Sequence, residues 1–227
     1  MGRVHSYRLV LPKPWIRIPV GAGTQERVRR LVEESTRDVP KELPPDQVGP
    51  MRRELEHRLV GDIMRSREYG GVDFYLPAGR QHGLLIGASF VVSQVRPPGH
   101  LPEELDPDQA VGAVLSELLH QDDGATAAII AGQAWVRSQR VLDPDPDRAP
   151  GVDVPVVAVS YTTALPDDAT KWVLVEFTGT GDGDPDSEST ALVVDLFDAI
   201  MGTWHWIDSD DEWDNDRDEA PDAISRP

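Results

Sequence analysis

Hydrophobic and polar positions are most sharply patterned between Lys171 and Trp206, which reads KWVLVEFTGTG, then DGDPDSEST, then ALVVDLFDAIMGTWHW. In Trp172–Thr178, Val173, Val175 and Phe177 fall on one face, and Trp172, Leu174, Glu176 and Thr178 on the other, because side chains alternate along a strand. One face is wholly apolar. Further on, Leu192, Val193, Leu196, Phe197, Ile200, Met201 and Trp204 recur at the three- and four-residue spacing of one helical face, with Asp195, Asp198 and Thr203 on the other side. The pattern predicts a strand, an acidic loop and an amphipathic helix lying across a sheet. Asp184 before Pro185 suits a helix start, and Ser187 is a second candidate cap. Carboxylates at Asp184, Asp186 and Glu188 favour the positive end of the helix dipole.

The rest of the chain is weaker in signal. His5–Leu11 and Trp15–Pro19 read as short extended pieces, and Thr24 opens a helix through about Asp38. The stretch Val39–Pro50 holds four prolines and reads as a loop. A longer helix follows over Met51–Tyr69, with Met51, Leu55, Leu59 and Ile63 recurring every four residues and Gly70–Gly71 as its stop. Val72–Leu76 and Leu84–Val95 predict a strand pair joined through Pro77–Gly83. Asp106-Pro107-Asp108-Gln109 opens a helix in capping-box style. Ala127–Leu142 reads as one long strand bent at Gly132, and Val154–Ala164 as the next. Strands joined by such short links pair as antiparallel neighbours. The expected fold is therefore a single α+β domain over residues 1–207, with an antiparallel sheet of about six strands covered by helices. A division into two subdomains near Pro97–Pro107 is the alternative.

Composition changes this picture mainly through charge. The 227-residue chain carries a net charge of −18, six Trp and no Cys. Residues 1–80 hold 15 Lys/Arg against 11 Asp/Glu, whereas residues 81–227 hold 7 against 29. That field repels nucleic acid and anionic membranes from most of the surface; acidic solubility explains it plainly, and a specific basic partner is the sharper reading. The absence of cysteine removes disulfides, thiolate metal sites and cysteine nucleophiles together. No leader is expected from MGRVHSYRLVLPKPW, and no window approaches the ~18 apolar residues of a membrane span. A cytoplasmic location is expected. The stretch 208–227, DSDDEWDNDRDEAPDAISRP, holds nine acids and a single large aromatic, Trp213. It is expected to be a disordered acidic tail.

Each candidate site has a plainer explanation. Gly179-Thr-Gly181-Asp-Gly183 stands where a nucleotide-binding glycine loop would, but position 184 is Asp, and Asp182, Asp184, Asp186 and Glu188 place negative charge where a pyrophosphate must lie. The same Asp182, Asp184 and Asp186 alternate as a calcium loop does. Positions six and twelve of that pattern are Ser187 and Val193, however, so a helix-capping loop is the expectation. His5, His57, His82, His100, His120 and His205 show no metal-ligand spacing. Ser89 lies outside a nucleophile elbow. Glu103–Glu104 and Asp167–Asp168 flank prolines in loops. Arginines 52, 53, 58, 65 and 67 are interleaved with Glu54, Glu56, Asp62 and Glu68, which argues for local pairing over nucleic-acid binding. No catalytic, cofactor-binding or metal-binding residue is assigned, and no cofactor is expected.

Leu11, Pro12 and Trp15 near the start, with Leu196, Phe197, Asp198 and Ile200 near the end, resemble the PsbP-like superfamily of α–β–α sandwiches. The chain is also similar to cytoplasmic proteins of high-GC actinobacteria. The resemblance implies a non-catalytic protein-binding role, as an adaptor or a chaperone of the kind serving bacterial secretion effectors. The partner would be a protein that is basic or carries an apolar segment. The alternative is an enzyme acting on a small molecule in a pocket beside the sheet. Removing everything after Asp208 is expected to leave the thermal midpoint unchanged in scanning calorimetry; a fall of several degrees would show that the tail contributes to folding.

Overall fold

The computed structural model describes residues 6–37, 45–81, 84–85, 87–102, 104–145 and 153–207. The predicted tail, His5, His82 and Glu103 lie outside these residues. The elements run β1 (Ser6–Arg8), β2 (Trp15–Pro19), α1 (Thr24–Ser35), α2 (Pro45–Ser66), β3 (Gly71–Pro77), β4 (Arg80–Gln81), β5 (Leu84–Leu85), β6 (Ala88–Val95), α3 (Pro107–Gln121), β7 (Thr126–Ile130), β8 (Gln133–Leu142), β9 (Val156–Leu165), β10 (Asp168–Gly179), α4 (Glu188–Met201) and β11 (His205–Ile207). A seven-stranded antiparallel sheet in the order β2-β3-β6-β10-β9-β8-β7 forms the middle layer. Helices flank it on both faces. This is the α+β architecture expected, with seven strands rather than about six.

The central strand β10 explains the layers. Its Val173, Val175 and Phe177 pack under α4 against Val194, Phe197, Ile200 and Met201. Its Trp172 faces the other way, into a cluster with Val114 and Leu115 of α3. A third cluster joins Val28, Leu31 and Val32 of α1 and Ile63 of α2 to Ile18 of β2 and Phe74 of β3. The main core also takes in the two-stranded ribbon β1–β11, where Tyr7 pairs with Trp206 in register.

Helix α4 starts at the second of its two candidate caps. The Ser187 hydroxyl accepts from the Thr190 N–H at 3.1 Å. Its buried stripe is shifted from the expected one: Val194 is buried, whereas Leu192 is 61% exposed. Asp198 is half-buried, not on the outward side, because Arg137 of β8 and Tyr161 of β9 both donate to its carboxylate.

Four expectations need correction. Ala127–Leu142 is a hairpin of β7 and β8, because Ala131 (φ 51°) and Gly132 (φ 76°) supply the two positive-φ residues of a tight turn. Helix α2 begins at Pro45, within the expected loop; Pro45 fits the first helical position and Pro50 removes only one main-chain bond near the start. Leu84–Val95 divides, with β5 pairing to β4 in a small ribbon before β6 begins. The first strand is shorter than expected and pairs with β11, after the helix, rather than joining the main sheet.

Trp204 is 2% exposed, stacks on Tyr7 at 4.3 Å, and lies edge-on to Trp135 and Trp206. Replacing it with Ala should cost about 3–5 kcal/mol. Urea unfolding at neutral pH measures this, and an unchanged midpoint would contradict the placement of α4.

Candidate functional site

Strands β2 and β3 pair with Arg17 opposite Tyr75 and Pro19 opposite Asp73. Alternation then puts Arg17, Asp73 and Tyr75 on one face, the face that the β1–β11 ribbon crosses. Tyr7 of β1 reaches down onto them. Its hydroxyl donates to Asp73 Oδ2 at 2.5 Å and lies 2.9 Å from the Tyr75 hydroxyl. Arg17 Nε donates to Asp73 Oδ1 at 2.7 Å. The Asp73 side chain is 3% exposed and that of Arg17 39%. A buried carboxylate is costly unless paired and hydrogen-bonded, and here both of its oxygens are engaged.

This network floors one end of a cleft of about 330 Å³ between the ribbon and the ends of β6, β9 and β10. Leu165, Val173 and Trp206 form apolar walls, and Gln94 stands at the rim. Trp206 is fixed by donating its indole N–H to Gln133 Oε1 at 2.8 Å and by stacking on Trp135. Val72, 40% exposed, adds an apolar lip where the register of β3 on β6 shifts between Gly71 and Asp73.

Electrostatically the floor is locked. Burial pushes the Tyr7 phenol well above its ordinary value, and Tyr75 and Asp73 add to the shift. Burial alone would lower the Arg17 guanidinium, but the Asp73 hydrogen bond and charge outweigh it and raise it. The protonated Tyr7 phenol and the Arg17 guanidinium are thus both favoured as donors to Asp73. The arrangement offers hydrogen-bonding groups beside apolar walls, which suits recognition of an amphipathic ligand.

The features singled out in the sequence lie elsewhere. In the glycine loop, a Cβ on Gly181 would stand 1.9 Å from Thr190 Oγ1, so that glycine permits the loop to close on the helix. Asp182 accepts from the Asp184 N–H and the Ser187 hydroxyl, and Asp184 accepts from the Asp186 N–H. These carboxylates shape the turn before α4. The Ser187 hydroxyl, with the Asp184 N–H, draws Asp182 below the usual carboxylate range. His57, His100, His120 and His205 are all exposed. Ser89 is half-buried beside Thr178, and Asp168 binds Thr170 and Lys171. On α2, Arg58 pairs with Glu54 and Arg65 with Asp62, as local pairing predicts. No group of three or more His, Asp or Glu among the described residues could hold a metal ion.

Sequence reasoning missed Tyr7, Arg17, Asp73 and Tyr75. Alternation puts Asp73 and Tyr75 on the face of VDFYL opposite Val72, Phe74 and Leu76, and Arg17 on the face of WIRIP opposite Ile16 and Ile18. Only the register shows that the three share one face of the sheet.

No protein-family model matches the chain, and no curated protein matches it. Among solved structures it is similar to the crystal structure of LpqN, involved in cell envelope biogenesis of Mycobacterium tuberculosis. That similarity is at 10% identity over 90% of this chain and 84% of that one, with a TM-score of 0.43. A likeness at that level carries no argument about fold or function.

The raised phenols make a test. A group whose folded pKa lies above its unfolded value contributes stability that is present below the unfolded value, near pH 10, and is lost as pH rises beyond it. Burial also pushes up Tyr161, whose hydroxyl donates to Asp198. Stability should therefore fall as pH rises above about 10, and Tyr7→Phe should make that fall shallower without abolishing it. Urea unfolding of both proteins between neutral and alkaline pH measures the difference; parallel curves would refute the assignment.

Proposed function

We propose that the protein is a non-catalytic binding module of PsbP-like architecture, an adaptor or chaperone-like protein that holds an apolar segment of a partner protein. The observation that supports this reading most is the cleft itself. The charged groups and phenol of its floor, Arg17, Asp73 and Tyr7, are bound to one another, while Val72, Val92, Leu165, Val173 and Trp206 supply apolar lining beside Ser6, Ser93 and Gln94. A nucleophile or base would need a group poised toward the substrate, and here the carboxylate faces its own partners. The residues that carry the PsbP-like resemblance serve packing: Trp15, Phe197 and Ile200 are buried, and Asp198 anchors α4 to the sheet. Work in the cytoplasm fits a chain without cysteine, and service to a secretion system is the process this resemblance suggests. No helix among the described residues is long and apolar enough to cross a membrane.

The second reading is an enzyme acting on a small molecule in the same cleft. Its volume, about 330 Å³, lies at the low end for such ligands.

Selection of short displayed peptides on the immobilised full chain separates the two. Enriched sequences should share an apolar core, and Leu165→Glu or Val72→Glu should weaken them by at least about tenfold. Absence of any enriched peptide, or peptides indifferent to both variants, would overturn the peptide-binding reading. A fragment screen by amide chemical shifts that finds small polar ligands only, at Arg17 and Gln94, would favour the second.

A further inference from the structure

Strand β7 closes one side of the sheet and, among the described residues, pairs only with β8. The tight turn at Ala131–Gly132 makes Ile130 and Gln133 a hydrogen-bonded pair, so bonding alternates back along the hairpin through Ala128–Trp135 and Thr126–Arg137. The main-chain N–H and C=O groups of Ala127 and Ile129 therefore point away from β8, outward from the sheet. Both residues are exposed, and Ile129 is 74% exposed.

Natural sheets guard such an edge with charge, proline, a bulge or a cover. The sequence of β7, TAAII, has neither charge nor proline, and its register on β8 is unbroken. At the opposite edge, β2 carries Arg17 and ends at Pro19. Among the described residues, an edge without its own charge, proline or bulge thus stands in a chain rich in charged residues.

We propose that the outer edge of β7 is a docking strand for a basic, extended segment of a partner protein, which adds to the sheet as an eighth strand. The charge of the half of the chain that contains β7 selects that occupant. Among the described residues from 104 to 207 there are 18 acidic residues and three basic ones, Arg137, Arg140 and Lys171. Arg137 is paired to Asp198 and Lys171 to Asp168, and Arg140 acts on Asp122. Asp123 is exposed just before β7, next to the C-terminal end of α3, whose dipole adds partial negative charge. On the side covered by α4, the outward residues include Glu188 and Asp195. An incoming strand alternating apolar and basic residues sets its apolar side chains beside Ala127 and Ile129 and its basic ones toward α4. A second copy of the chain would bring the same acidic half to that edge, and like charges oppose it. The edge lies outside the cleft, so the proposal stands apart from what the cleft binds.

The test uses the full chain and a short N-acetylated peptide alternating lysine and valine. Binding is read by amide hydrogen exchange and chemical shifts. The peptide should slow exchange at Ala127 and Ile129 by at least about tenfold, and added salt should weaken the effect. Ile129→Pro removes an outward N–H that β8 does not use, and Ala127→Lys guards the edge. Each should lower peptide affinity by about tenfold or more. If Ile129→Pro fails to fold, Ala127→Lys carries the comparison. Unchanged affinity in the folded variants overturns the proposal. So does equal protection by a glutamate–valine peptide, or self-association of the wild type that protects the same amides without peptide. Shifts confined to Arg17, Gln94 and Leu165 would overturn the edge proposal while leaving the cleft reading intact.

Discussion

The burial of β10 on both faces is the constraint from which the rest follows. Trp172 and Val175 are each 0% exposed on opposite sides of the strand, and Phe177 is 1% exposed. Each such side chain contributes about 1.5–3 kcal/mol when removed from water. Neither Trp172 nor the Val175–Phe177 face can be left open, so the chain supplies a helix over each, while Glu176 and Thr178 stay exposed on the Trp172 side. Helix α3 meets Trp172; α4 meets Val175 and Phe177. Helix α4 is also fixed laterally, since Arg137, Asp198 and Tyr161 form a half-buried charged staple between it and two strands. The ribbon β1–β11 extends the same cover by placing Tyr7 on Trp204 and Trp206 on Trp135.

The strongest elements in the sequence were those whose period answers to burial on the strand and helix alone. Val173, Val175 and Phe177 alternate because their face is buried, and Phe197, Ile200 and Met201 recur because α4 lies across it. The hairpin at Ala131–Gly132 was hidden because Ala at a positive φ is not a turn signal; only Gly132 marks the site, and one glycine in a run of apolar residues reads equally as a bend. The strand β11 was hidden because three residues hold no period. Leu192 was misassigned because a leucine at helical spacing is counted as core, whereas here the stripe turns by one residue, to Val194. Of the cleft, the sequence shows only which strand face each residue takes; Tyr7 and Asp73 are 66 positions apart, and their meeting depends on the β1–β11 pairing.

Asp73 shows why that pairing is definite. An apolar residue in its place would let β1 slide along the sheet with little penalty. A buried carboxylate accepts only an arrangement that brings donors to both oxygens, and Tyr7 and Arg17 are those donors. Misplaced by one residue, β1 would point Tyr7 to the opposite face. The same bonds that fix register also occupy Tyr7 and Asp73 in the floor of the cleft, which leaves its apolar walls and the rim to select what enters.

Charge is divided along the sheet as well as along the sequence. The arginines of α1 and α2 lie over the β2 end, and several are matched by acids on their own helices, as in Arg30 with Glu26 and Arg58 with Glu54. The acidic excess lies in the part of the chain that forms α3, β7–β10 and α4. Seven strands spaced about 4.8 Å apart put the two edges roughly 29 Å from each other. That is more than three times the screening length of about 8 Å at physiological salt. A partner arriving at β7 therefore feels the acidic half without compensation from α1 and α2. The two ends of one sheet then act as electrostatically independent surfaces, and the edge strand without a charge of its own belongs to the acidic half of the chain.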